Sequence, residues 1–363
     1  MNFLKNIFNK PDAPIQSNED FWNWFVKNEK SFFKTVKAHV DIEKGFFDKI
    51  SPKLAQLKEG FFFLTGMLND NTAELVLTAD GTIKNFVFVE QLVNDAPKLD
   101  GWKFTALKPP IEIDKFAINM YDYQFKTENI HFYANDNPYQ PDEIDITVVH
   151  DDLNENNEKE ISTGIFIFLD NYLGELNFAT MIDNIVIRGK DKAEKELVPI
   201  AKLKAFLTWR EKEFIEKYDG IRHNTDNDEY GSFEAESKDG QPFLAMLNMG
   251  LLNWDAKASH PWMMAIEIKY DGRQNSGLPD QQTFELLNEM EDELMLRLSP
   301  EDGYLNVGRE TGDGLRTIYF ACKEFRKPAK AVYDIEQAYA GRLNISYEIY
   351  KDKYWRSLAR YEQ

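Results

Sequence analysis

Six side chains in the last third of the sequence are of types that hold a ligand or a partner: Asp271, Arg273, Arg309, Arg316, Asp352 and Trp355. A guanidinium offers several N–H donors in a rigid fork that matches a carboxylate or a phosphate. Arginine and tryptophan are also the residues in which interfaces concentrate their binding energy. Their spacing sets them at strand ends and loops, where binding groups gather. "YDGR" (Tyr270 to Arg273) leaves one strand, Arg309 and Arg316 flank a turn, and Asp352 and Trp355 follow a closing strand. The competing reading gives the same residues structural work. Arg309 and Arg316 would pair across strands with Glu310 or Asp313, and Trp355 would fill the core.

Other chemistry finds little footing. The five histidines are His39, His131, His150, His223 and His260, and no two are three to five residues apart, so no helical metal pair exists. His131 and His150 fall on neighbouring strands, where a structural or surface role is expected. "DNDEYG" (Asp226 to Gly231) begins like a calcium loop, but its twelfth position is Ser237 in place of glutamate. Glu285, Glu289 and Glu293 recur every four residues on one helix without an accompanying Glu-x-x-His and read as a solvated face. No serine elbow or dinucleotide glycine motif is present. The single cysteine, Cys322, sits in the apolar run "TIYFACK" and reads as a buried thiol. The expectation is no catalytic residue, no metal ligand and no cofactor.

"VGRETGDGLRTIYF" (Val307 to Phe320) combines glycines, threonines and arginines in a way that suggests a phosphate loop. A phosphate loop leads from a strand into a helix whose N-terminus holds the anion. Here alternating residues continue on both sides, so a β-hairpin is predicted, with Gly312 and Gly314 supplying positive φ and Asp313 tolerating it.

The elements that must position these residues follow from hydrophobic period and punctuation. Ser17 and Asp20 open a helix that carries Trp22, Phe25, Phe32, Phe33 and Val36; a second helical stretch is expected to break near Pro52. Strands "GFFFLTGML" and "AELVLTA" precede a helix over 82–96 and the strand "GWKFTAL". The middle region reads as strands "NIHFYAN" and "IDITVVH", a buried helix over "EISTGIFIFLDNYLG" with strand as its alternative, the strand "DNIVIRG", and a long helix ending at Gly220. After the polar stretch "IRHNTDNDEYG" come two strands, then the order β-α-β-β-α-β. That order is the ferredoxin-like arrangement, with an antiparallel sheet and both helices on one face. Phe284, Leu287, Met290, Leu294 and Leu298 should point inward from the first of those helices. The fold class is therefore α+β. The expected divisions are a stub over 1–18, an N-terminal α+β domain over 19–220 and a C-terminal ferredoxin-like domain over 221–363.

The net charge of −19 is spread along the chain and is not confined to a tail. It disfavours nucleic acid and suits docking to a basic protein partner. No stretch is long and apolar enough for a transmembrane helix. Phe3, Leu4, Ile7 and Phe8 share a helical face at the N-terminus without forming a signal peptide, and the chain reads as cytoplasmic.

"PWMMAIEIKYDGRQNSGLPD", "YLNVGRETGDGLRTIYF" and "YEIYKDKYWRSL" together resemble the bacterial family known as domain of unknown function 695. The matching features are the Gly277 to Pro279 step, the hairpin from Val307 to Tyr319, and Asp352 with Trp355, over about residues 230–358. Ala321 and Cys322 depart from the aromatic strand end of that pattern. "ELVLTADG" and "APKLDGWKFTALKPP" are similar to the front part of other uncharacterised bacterial proteins. The resemblance implies no activity, catalytic residue or cofactor.

Function is therefore expected to be a non-enzymatic, protein-binding or regulatory one. The alternative is an enzyme or small-ligand binder with a site between the two domains. Self-association through sheet edges is a third reading.

Overall fold

A computed structural model gives the structure and describes residues 14–112, 117–236 and 240–361. The apolar N-terminal face formed by Phe3, Leu4, Ile7 and Phe8 lies outside the described residues. Helices and mixed sheets alternate, so the chain is α+β. The described chain forms two compact units. One ends at Pro110 and includes Gly174–Leu176; the other spans Ile111–Leu173 and continues from Asn177.

In the first unit, helix α1 (Asn18–Ala38) starts where the Ser17 hydroxyl accepts the Asp20 N–H at 3.1 Å. A π-helical turn over Glu43–Phe47 leads into α2 (Asp48–Leu57). Pro52 lies inside α2, so the irregularity predicted there falls one turn earlier, in the wider π turn. Strands β1 (Phe62–Asn69) and β2 (Thr72–Thr78) form an antiparallel hairpin. Helix α3 (Ile83–Asn94) then crosses over to β3 (Trp102–Ala106), which runs parallel to β2. Aromatic rings make this core: Phe21, Phe25, Phe32 and Phe46 are fully buried, and Trp22 donates its indole N–H to the Leu92 carbonyl at 2.7 Å. Gly174–Leu176 joins the unit through the buried Glu175 carboxylate. It accepts from the Thr78 hydroxyl and from the N–H groups of Ala79, Gly81 and Lys108.

Among the described residues the second unit holds a two-stranded hairpin and two larger sheets. A hairpin of β4 (Ile118–Met120) and β5 (Tyr123–Phe125) precedes β6 (Ile130–Asn135) and β7 (Asp145–His150). The ambiguous apolar run is helix α4 (Glu158–Leu173), followed by α5 (Glu175–Met181). Strands β8 (Asn184–Gly189) and β9 (Val198–Pro199) complete a sheet in the order β8-β7-β6-β9. The long helix predicted up to Gly220 is shorter, because β9 and a 3₁₀ turn come before α6 (Leu203–Tyr218).

The second sheet has six strands. They are β10 (Tyr230–Glu236), β11 (Pro242–Asn248), β12 (Trp262–Lys269), β13 (Tyr304–Gly312), β14 (Leu315–Cys322) and β15 (Asn344–Lys351). The order is β10-β11-β13-β14-β12-β15, antiparallel throughout. The short α7 (Met249–Leu252) follows β11, α8 (Gln281–Arg297) joins β12 to β13, and α9 (Arg326–Ala338) joins β14 to β15. The four strands of the predicted β-α-β-β-α-β run lie side by side, and α8 packs beside α9. The hairpin β10–β11 extends their sheet past β13, so the sheet is wider than that run alone specifies.

Position 220 lies inside the second unit, and ion pairs tie the residues before it to those after it. Asp183 holds Lys353 at 2.9 Å and Lys351 at 3.1 Å, all three nearly inaccessible. Asp142 accepts from Tyr354 at 2.8 Å and pairs with Lys217 at 2.7 Å, and Arg356 pairs with Glu143 at 2.8 Å. Burial, opposed by Asp183, brings the Lys351 ammonium down to about 8.

Candidate functional site

The hairpin at "VGRETGDGLRTIYF" forms as predicted, with one correction. The left-handed pair is Asp313 (φ 52°) and Gly314 (φ 72°), while Gly312 is the extended last residue of β13. The Gly314 N–H donates to the Gly277 carbonyl at 2.8 Å, and the Tyr270 hydroxyl donates to the same carbonyl at 3.0 Å. The loop from Gly272 to Pro279 is thereby pinned beside the hairpin. A Cβ on Gly277, whose φ is +80°, would stand 2.8 Å from the Asp313 nitrogen.

Cross-strand registry builds a floor from one face of the sheet. One row runs Glu234–Leu244–Thr311–Arg316 and the next Ser232–Met246–Arg309. Helix α8 stands over the arginine end of these rows. Its stripe Leu287, Glu291, Leu294 is buried, and Glu291 is the acid within it. The Glu291 carboxylate accepts from Arg309 Nη1 at 2.8 Å and lies 3.7 Å from Arg316 Nη1. Arg316 is 1% exposed. Its Nη1 also donates to Asn288 at 2.9 Å, its Nε to the Thr311 hydroxyl at 3.2 Å, and the Phe284 ring lies 5.5 Å from its guanidinium carbon. Burial and the nearby Arg309 charge lower Arg316 to about 10, against the raising influence of Glu291 and Tyr270.

Past the end of α8 the floor is open. Leu244 and Met246 stay 38% and 44% exposed, and Phe284, predicted to point inward, is 40% exposed. Together with Leu278 and Pro279 they wall a cleft of about 380 Å³ that ends at Arg309, Thr311 and Arg316. The cleft thus joins an apolar approach to a cationic end.

The predicted binding residues fall in three places. Arg309 and Arg316 share the cleft; their carboxylate is Glu291 from the helix, where Glu310 or Asp313 from the strands was the alternative. Asp271 and Arg273 pair with each other at 2.6 Å on the surface beside the hairpin turn, and the Arg273 contact holds the Asp271 carboxyl down at about 2. Asp352 and Trp355 lie on the opposite face of the sheet. Asp352 accepts from the N–H groups of Arg356 and Ser357, while Trp355 is fully buried against Met263, Leu305 and Val307 and donates to the His260 carbonyl at 3.1 Å. Glu310 also faces that side, bound to Tyr319, Arg360 and Tyr361.

These contacts bring Leu278 and Pro279 of the Gly-Leu-Pro step and Arg309 and Arg316 of the hairpin to one cleft. Residues 232–361 match the model of a Family of unknown function (DUF695). The DUF695 segment is the C-terminal third of the chain and contains the whole cleft. No curated protein and no solved structure matches the chain.

Sequence reasoning missed Glu291 and the apolar wall. A lone acid within the stripe Leu287–Glu291–Leu294 was the available signal for the first. The exposure of Leu244 and Met246 had none, because it depends on α8 ending its cover at β13. His131 and His150 do not meet: His131 registers with Val149 and His150 with Ile130, which turns the two rings to opposite faces. Among the described residues no three His, Cys, Asp or Glu side chains are grouped to hold a metal ion. Cys322 is fully buried, and burial raises its thiol well above the usual value.

Proposed function

We propose that the DUF695 segment is a binding module and that the cleft at Arg309 and Arg316 is where it holds its ligand. The observation that carries this reading is the sheet floor left uncovered at Leu244 and Met246, continuous with two guanidiniums fixed by Glu291. Exposed apolar side chains gathered into a concave wall with a few convergent polar groups are the usual build of a small-ligand site. The volume of about 380 Å³ falls in the range of such sites. Its polar end suits holding better than chemistry, because a guanidinium keeps its proton near neutral pH and does not serve as an acid or base there.

The test is a fragment screen observed through the ¹³C-methyl resonance of Met246. Fragments that shift this resonance in the wild type and lose binding in Leu244→Arg support the module. Fragments that bind without moving it place the binding surface elsewhere. A second reading, a basic protein partner held by the acidic surface, is favoured by the net charge of −19. Capture from lysate that yields a basic protein at low ionic strength and loses it at high salt supports it.

A further inference from the structure

We infer that the ligand of this cleft is a small monocarboxylate with a linear apolar body, its carboxylate held between Arg309 and Arg316; the inference rests on the binding reading above. The argument is one of charge and reach. Two guanidiniums meet one carboxylate at the closed end, since among the described residues Glu291 is the acid within 4 Å of either. The other acid lining the cleft, Glu234, belongs to the strand β10 at the far side of the floor. The remaining titratable neighbour, Tyr270, spends its hydroxyl proton on Gly277. One positive charge is thus left over at this end, where Arg316 is buried and Arg309 is one-quarter exposed.

Donors are also left over. Among the described residues Arg316 bonds through Nε and Nη1 and Arg309 through Nη1, which leaves the Nη2 groups of both without a hydrogen-bond acceptor. A carboxylate accepts from such groups in a charge-assisted geometry. The rest of the floor then fixes the body. Neighbouring strands stand about 4.8 Å apart, so the path from β13 across β11 to β10 is about 10 Å long. It runs over Met246 and Leu244 and under Phe284, Leu278 and Pro279, all apolar, and meets Ser232 and Glu234 at its outer end. A second acidic group at that end would face Glu234, so the geometry selects a single carboxylate. Phosphate esters are less suited, since the charge left over is one.

The experiment is a calorimetric titration of the full chain with octanoate, 1-octanol and octylamine at low ionic strength. The expected order is octanoate first, with the alcohol weaker by about tenfold or more. In Arg309→Gln, whose side chain is one-quarter exposed and whose folding is checked by its urea midpoint, octanoate and octanol converge. Equal binding of octanoate and octanol to the wild type, with the Met246 methyl shifted by both, overturns the carboxylate and leaves the cleft as a binding site. No binding by any of the three probes overturns the carboxylate inference. No methyl shift with these probes or with the fragments removes the reading of the cleft itself. Octanoate binding that survives Leu244→Arg places the anion elsewhere and overturns the inference as well.

Discussion

At the scale of single residues, Glu291 carries opposite duties. It neutralises part of the charge on Arg309 and Arg316, and it competes with whatever anion arrives. Glu291→Gln removes the buried partner of two guanidiniums and is expected to destabilise the fold by about 2–4 kcal/mol, read from urea unfolding. The same variant should bind octanoate more tightly than the wild type. A variant weakened in both respects would show that Glu291 only shapes the wall. His260 gives a second residue-level expectation. Its ring is fully buried against Trp254, its Nδ1 meets the Ser259 hydroxyl at 2.8 Å, and its Nε2 has no partner among the described residues. Burial, reinforced by the Arg222 and His223 charges, lowers it from 6.5 to about 4. A folded value below the unfolded one means that this contribution is complete above pH 6.5 and is lost as the pH falls toward 4. The loss amounts to roughly 3 kcal/mol. Urea midpoints at pH 7 and pH 4 should converge in His260→Gln relative to the wild type.

At the scale of elements, the β13 strand shows how a small irregularity places the cleft. Its register with β14 shifts between Asn306 and Gly308, and Gly308 sits at φ +137°. A Cβ there would stand 2.3 Å from the Met246 carbonyl oxygen. The bulge turns Arg309 and Thr311 to the α8 side while Val307 and Glu310 face the other. Gly308→Ala is expected to cost about 2–4 kcal/mol and to weaken octanoate binding, because it pushes β11 and its Met246 away from β13. Unchanged unfolding would show that the backbone absorbs the methyl. This element also marks how far the sequence could be read. The alternation around "VGRETGDGLRTIYF" specifies a hairpin, since that signal is local, but the expected positive φ at Gly312 falls on Asp313 instead. The bulge is not local: one extra residue becomes visible only against a partner strand. The long middle helix likewise failed at its start, where β9 claims Val198 and Pro199 for a sheet partner far away in sequence. Phe284 kept helical period yet remained exposed, because periodicity reports a face and not how far its cover extends.

At the scale of the molecule, the apolar cores of the second unit include one around Ile146, Phe168 and Leu203 and one around Leu247, Leu305 and Trp355. One tie between them is the ionic cluster at Asp183, Lys351 and Lys353. Asp183→Ala strands two buried ammonium groups and is expected to lower stability by about 3–5 kcal/mol. Hydrogen exchange should then show the two sheets opening separately, where the wild type opens them together. Fully retained coupling would assign the tie to Asp142 and its tyrosines instead. None of this cluster was legible from composition, since Asp183 and Lys353 stand 170 residues apart in sequence. The face of the larger sheet opposite the cleft is closed late in the chain, by Trp355, Leu358 and Tyr361 packing on Ala245, Leu247 and Met263. During synthesis the ribosome delivers the sheet strands first and these covering rings afterwards. Nascent chains that have not yet released Trp355 therefore leave this face only partly covered, by the earlier Leu251, Leu252 and Trp254, and a translation pause in that window is expected to raise aggregation.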